Sequence, residues 1–160
     1  EQLRASAQSL RHSVESKARD HTEVFGKFFA EQADELVAAA TTLAASYRQG
    51  GRLLAMGNGG SSCDAAHVAV EFLHPVTAGR PALGAINLAA DVAMLTAVGN
   101  DVGQDHVFVR PLIAHGRHGD CLIGFSTSGN SANLIRAFAK AREMGIATIG
   151  LAGGDGGEMA

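Results

Sequence analysis

Two short stretches carry residue types from which an anion site can be made. The first is Ser126-Thr127-Ser128-Gly129-Asn130-Ser131, which places four hydroxyls within six residues. It follows an apolar run and opens a helical one. Hydroxyls and amide N–H groups can donate to an anion there, and the helix dipole adds partial positive charge. No Lys or Arg lies inside the run and the GxxxxGK[ST] pattern is absent, so a single phosphate monoester suits it better than a nucleoside triphosphate. The same run also reads as a Ser-rich turn that caps its helix.

The second stretch is Gly57-Asn58-Gly59-Gly60-Ser61-Ser62. A dinucleotide fingerprint needs a third glycine at position 62, where Ser62 stands, so a loop that lets backbone approach a small polar ligand is the better account. Plain strand-to-helix turn chemistry remains open beside it. Downstream, His67 and Glu71 are four residues apart and share one helix face. An imidazole and a carboxylate there could ligate a metal, Glu71 could act as a base, or the two could be a solvated surface pair. Because the helix starts beside the first loop, their face is expected to lie toward the sheet's carboxyl edge. Two ligands do not complete a zinc site. Asn100-Asp101 after Gly99 reads as a turn followed by an N-cap. The remaining histidines, at positions 12, 21, 74, 106, 115 and 118, are read as structural or solvated.

The elements that must position these residues follow from hydrophobic spacing. Val24, Phe25, Phe28, Phe29, Leu36, Val37, Leu43 and Ala44 recur at helical intervals, which predicts helices over residues 4–30 and 32–48, with Gly50-Gly51 as the stop. Their apolar stripes must be buried on the rest of the chain or on another subunit. From Arg52 onward, short apolar runs alternate with helical segments. Strands are expected at 53–56, 82–88, 121–125 and 147–151, and helices at 63–73, 91–98, 105–115 and 132–144. That alternation indicates βαβ units and a parallel sheet, so the fold class is α/β. The chain divides near residue 50, with N-terminal helices over 1–50 and an α/β core over 51–160 forming a single domain. The pattern starts a new helix at Gly156-Gly157, so a further strand and helix are expected beyond Ala160.

Composition excludes other classes. The 160 residues carry 13 Lys and Arg against 16 Asp and Glu, a net charge of −3. This mild acidity offers no basic stripe for nucleic acid, and 5% aromatics without Trp make a base-stacking platform improbable. No apolar run approaches the roughly 20 residues that span a bilayer, and the N-terminus lacks the order of a signal peptide. Cys63 and Cys121 show no CxxC spacing, which argues against a disulfide framework or a zinc knot. Both are expected to be buried free thiols in a reducing cytoplasm.

Taken together, Gly57-Asn58-Gly59-Gly60-Ser61, His67-x3-Glu71, Gly99-Asn100-Asp101, the 126–131 run and residues 153–160 resemble the SIS (sugar isomerase) domain family. Within it they resemble the phosphoheptose isomerases, over nearly the whole chain. The resemblance implies a doubly wound parallel sheet flanked by helices, with an N-terminal helical extension. It implies isomerisation of sedoheptulose 7-phosphate to glycero-manno-heptose 7-phosphate through an enediol, in heptose biosynthesis. Ser126, Thr127, Ser128 and Ser131 would then hold the phosphate, and Asn58, Gly59, Gly60, Ser61, Asn100 and Asp101 the sugar. Glu71 would carry the proton, and His67 with Glu71 would be zinc ligands. A cytoplasmic homotetramer with sites at subunit boundaries is implied as well. The family's partner acid, a His, and a Gln ligand belong to a C-terminal helix after the last residue here. Glu71 is followed by Phe72-Leu73-His74-Pro75 where the family continues Glu-Leu-x-Gly-Arg, so the familiar Arg has no counterpart at that spacing. The alternative is a non-catalytic SIS module, like the replication-initiator-associated homologues. A carboxylate at Glu71 favours the enzyme, because those homologues carry a small residue there.

Overall fold

The computed structural model describes residues 2–77 and 79–160, and side chains from Ser6 onward. It comprises two compact units, Glu1–Ala40 and Thr41–Ala160. Helix α1 (Gln2–Glu31) and helix α2 (Ala33–Arg48) match the two expected helices. Along α1, Leu10, Val14, Val24, Phe25 and Phe29 lie exposed, and Phe25 and Phe29 pack ring on ring at 4.7 Å.

In the second unit, β1 (Leu53–Gly57), β2 (Ala85–Asn87), β3 (Cys121–Ser126) and β4 (Ala147–Ala152) form one sheet in the order β2-β1-β3-β4. All three neighbouring pairs are parallel. The alternation of side chains along β1 divides the core in two. Leu54 and Met56 face one layer, with Leu122, Val98, Phe108, Leu112, Leu134 and Phe138. Leu53 and Ala55 face the other, with Ala65, Ala69 and Ile123, covered by Leu43 and Tyr47 of α2. Strands covered on both faces read as unbroken apolar runs, as these do. The helices behind those layers are α3 (Gly60–Leu73), α4 (Val92–Asp101), α5 (Val109–His115) and α6 (Ala132–Glu143), with 3-10 turns at Gln104–His106 and Gly157–Met159.

Some boundaries differ from the expected ones. Strand β2 is three residues long, because the Leu83 amide donates to the Phe72 carbonyl and so leaves the ladder. Helix α4 runs through Gly99, Asn100 and Asp101, started by Asp91, whose carboxylate accepts from the Met94 amide at 2.9 Å. Asn100 and Asp101 therefore close a helix, and the expected turn and N-cap is corrected. Cys121 is buried as expected, but Cys63 is exposed on the first turn of α3.

The amino ends of β1 and β3 are tied by Asp120, which is 2% exposed. Its carboxylate accepts from the Arg52 amide at 2.8 Å, the Arg117 amide at 3.0 Å and the Arg52 guanidinium at 3.2 Å. The order in which strands are added reverses between β1 and β3, since β2 lies on one side of β1 and β3 on the other. In an open parallel sheet, the crevice outside the carboxyl ends at that reversal is where ligands bind. Register pairs Gly57 with Phe125, so the loops after β1 and β3 emerge side by side.

Candidate active site

The loop after β3 carries the hydroxyl run. Ser126 is buried, and its Oγ lies 3.0 Å from Ser131 Oγ. The Gly129 amide donates to Ser126 Oγ at 3.2 Å, and the Asn130 amide to Ser128 Oγ at 3.2 Å. Thr127 and Ser128 are exposed on the outer side. Ser131 is the N-cap residue of α6, yet its side chain makes no capping bond. A hydroxyl turned toward Ser126, and away from the first-turn amides, is not explained by a simple cap. The loop thus sets several hydroxyls at the positive end of α6, with no cation among them.

Its shape depends on a segment to which sequence reading gave no role. Gly129 has φ +65°, and a Cβ there would stand 1.8 Å from the Gly156 carbonyl oxygen. The Met159 amide donates to the Gly129 carbonyl at 3.0 Å, and the Glu158 amide to Asn130 Oδ1 at 2.9 Å. The glycine-rich 153–160 turn therefore lies directly against the loop and braces it.

In the loop after β1, a Cβ at Gly57 would lie 2.3 Å from the Ser61 carbonyl oxygen, so the chain can fold back only over a glycine. Gly59 takes φ +53° and Gly60 opens α3. Asn58 reaches across to the first turn of α6. Its Nδ2 donates to Asn133 Oδ1 at 2.9 Å, and Asn133 Nδ2 donates to Asn58 Oδ1 at 2.9 Å. Sequence reading named Asn58 and missed Asn133. The two are 75 positions apart, and the one local sign was an asparagine, a weak helix former, inside a helix start.

His67 and Glu71 share a face of α3, with Nε2 and Oε1 3.4 Å apart and side chains 75% and 41% exposed. At about 1.5 Å per residue they lie about 10 and 16 Å along the helix from Gly60. The helix runs back toward the amino ends of the strands, so it carries the pair away from both loops. The expectation that this face lies toward the carboxyl edge is thus corrected. Below Glu71, the Arg80 guanidinium donates to the Glu71 carbonyl and sits 5.3 Å over the Phe72 ring, which stacks on Tyr47 at 5.5 Å. An arginine therefore does reach this end of α3, but from the following loop. Asn100 Nδ2 donates to Asp101 Oδ1 at 2.7 Å. After Asp101 the chain is tied to α6 by the Arg136–Asp105 ion pair at 3.3 Å.

Among the described residues, no group of three or more His, Cys, Asp or Glu is placed to hold a metal. His67 and Glu71 offer one nitrogen and one oxygen donor of types that zinc accepts, and a tetrahedral site takes at least three protein ligands. The pair could supply two of the ligands of such a site, and any others would have to come from residues other than these.

The SIS domain signature matches residues 18–153. The chain is 46% identical to the phosphoheptose isomerase of Desulfovibrio desulfuricans over 147 residues, which is 92% of this chain and 70% of that protein. The chain belongs to the phosphoheptose isomerase family of SIS-domain proteins. It is also 50% identical over 128 residues to the phosphoheptose isomerase of Chlorobaculum tepidum, covering 79% of this chain and 61% of that one. The solved phosphoheptose isomerase structure from Neisseria gonorrhoeae superposes with a TM-score of 0.87 at 39% identity, covering 94% of this chain and 78% of that one. The signature's span includes the loops after β1 and β3 and the His67–Glu71 pair.

Proposed function

We propose that this isomerase of a sugar phosphate converts D-sedoheptulose 7-phosphate to D-glycero-D-manno-heptose 7-phosphate. The observation that carries the reading is the hydroxyl array at the start of α6, at the sheet's reversal and beside the loop after β1. Ser126, Thr127, Ser128 and Ser131 donate to the 7-phosphate. Asn58, Gly59, Gly60, Ser61, Asn100 and Asp101 bind the sugar. Glu71 takes a proton from C1 of the ketose while O2 gains one, giving the enediol, and returns it to C2 as O1 gives up its proton, leaving the aldose. A zinc ion on His67 and Glu71 would, when bound, polarise the sugar oxygens that carry charge during this transfer.

Glu71 lies about 16 Å along α3 from the loop after β1, so we assign the proton transfer at a given phosphate loop to the Glu71 of a neighbouring subunit. A homotetramer joined through the apolar stripe of residues 24–44 would supply that neighbour. Two free thiols suit a reducing cytoplasm, and among the described residues no helix is long and apolar enough to cross a membrane.

Turnover of sedoheptulose 7-phosphate by the assembled protein tests the reading. Glu71→Gln should lower kcat by about a thousandfold, the usual weight of a general base. Absence of turnover with any sugar phosphate, in protein that still assembles, would favour a non-catalytic binding module.

A further inference from the structure

The Asn58–Asn133 pair links the loop after β1 to the start of α6 across the sheet's switch point, and nothing in the proposed chemistry uses Asn133. Each carboxamide offers the other one N–H and one oxygen, so the two form a closed ring of two hydrogen bonds, both 2.9 Å. Asn133 Oδ1 also accepts from the Leu134 amide at 3.0 Å, which fixes its rotamer against the backbone of α6. That third bond turns Asn133 into a rigid post on the helix that follows the phosphate loop. Asn58 stands between Gly57 and the positive-φ Gly59, and the loop's own bonds, from the Ser62 amide and hydroxyl to the Gly59 carbonyl, lie on its C-terminal side and leave Asn58 itself untied. Glycine-flanked backbone has little intrinsic preference, so a side-chain link decides where the loop rests.

Resting on the reading of these two loops as phosphate and sugar sites, we infer that Asn133 is a positioning residue for the isomerisation. It acts through Asn58, setting the gap between the loop that holds the sugar and the loop that holds the phosphate. The ring also fixes which way the Asn58 amide faces. One N–H and one lone pair of Asn58 are committed to Asn133, and the second N–H is left to point away from α6, where a sugar hydroxyl could accept from it. The residue that reads the sugar is thereby oriented by one that does not touch it.

A double-mutant cycle tests this in the full chain. Asn133→Ala should lower kcat/KM by about tenfold, the weight of a hydrogen bond near 1.4 kcal/mol. In an Asn58→Ala background the same change should have almost no further effect, since the residues act as one unit. The midpoint of thermal unfolding should stay close to that of the parent, because alanine favours the helix it enters. Amide hydrogen exchange in residues 57–62 should quicken in Asn133→Ala. An undiminished tenfold loss in the Asn58→Ala background, or unchanged kcat/KM in Asn133→Ala alone, would overturn the inference. Should the parent protein turn over no sugar phosphate, the functional reading fails separately. Hydrogen exchange then still decides the strap, with unchanged exchange in residues 57–62 overturning it.

Discussion

At the scale of single residues, the hydroxyls divide by burial. Ser126 is enclosed and holds the loop together, whereas Thr127 stands exposed where a ligand would arrive. Thr127→Val keeps the side-chain shape and removes the hydroxyl. Steady-state kinetics should show KM for the sugar phosphate rising about tenfold. Denaturant unfolding should stay within about 0.5 kcal/mol of the parent, as for surface changes elsewhere. The residue types of this loop were legible from sequence, since four hydroxyls beside a helix start are unusual in any register. Asn133 was not legible, because nothing in linear order connects it to Asn58 across β2, α4 and β3. Cys63 was misread for a related reason: an average preference of cysteine for burial says nothing about which face of α3 it occupies.

At the scale of elements, the strands and helices followed from hydrophobic spacing, and the errors fell where a local hydrogen bond redirected the chain. The Phe72 carbonyl that captures the Leu83 amide shortened β2, and Asp91 started α4 on a course that took in Asn100 and Asp101. The direction of α3 was the costlier misjudgement, since a helix that begins at a site still leaves it at about 1.5 Å per residue. Asp120 binds the starts of β1 and β3, and Asp120→Ala should lower unfolding free energy by about 3 kcal/mol, because Arg52 loses a buried partner. Urea titration measures this. Burial pushes the Tyr47 hydroxyl from 10.0 to about 12 and the Cys121 thiol from 9.0 to about 11. Both groups keep their protons longer when folded than when unfolded. Their contribution is therefore complete below pH 9 and is lost as pH climbs to about 12. Urea midpoints taken at pH 8, 10 and 11 should fall in that order.

At the scale of the whole molecule, the exposed apolar row of α1 is the contact proposed between subunits. Val24, Phe25 and Phe29 are 67%, 57% and 48% exposed, more apolar surface in one row than a solvated helix carries. If this row joins subunits, Phe25→Asp with Phe29→Asp should reduce the mass found by light scattering from tetramer to a smaller species. On the proposed assignment, turnover should fall with it, because Glu71 would no longer reach the neighbour's hydroxyl loop. The sheet itself has two unlike rims. Where the strands enter, a carboxylate and its three donors weld the framework. Where they leave, glycines and short hydroxyl side chains keep the surface adjustable. A search for hardier variants can therefore work around Asp120, provided that it leaves the Glu71 end of α3, which lies toward the same rim, unchanged.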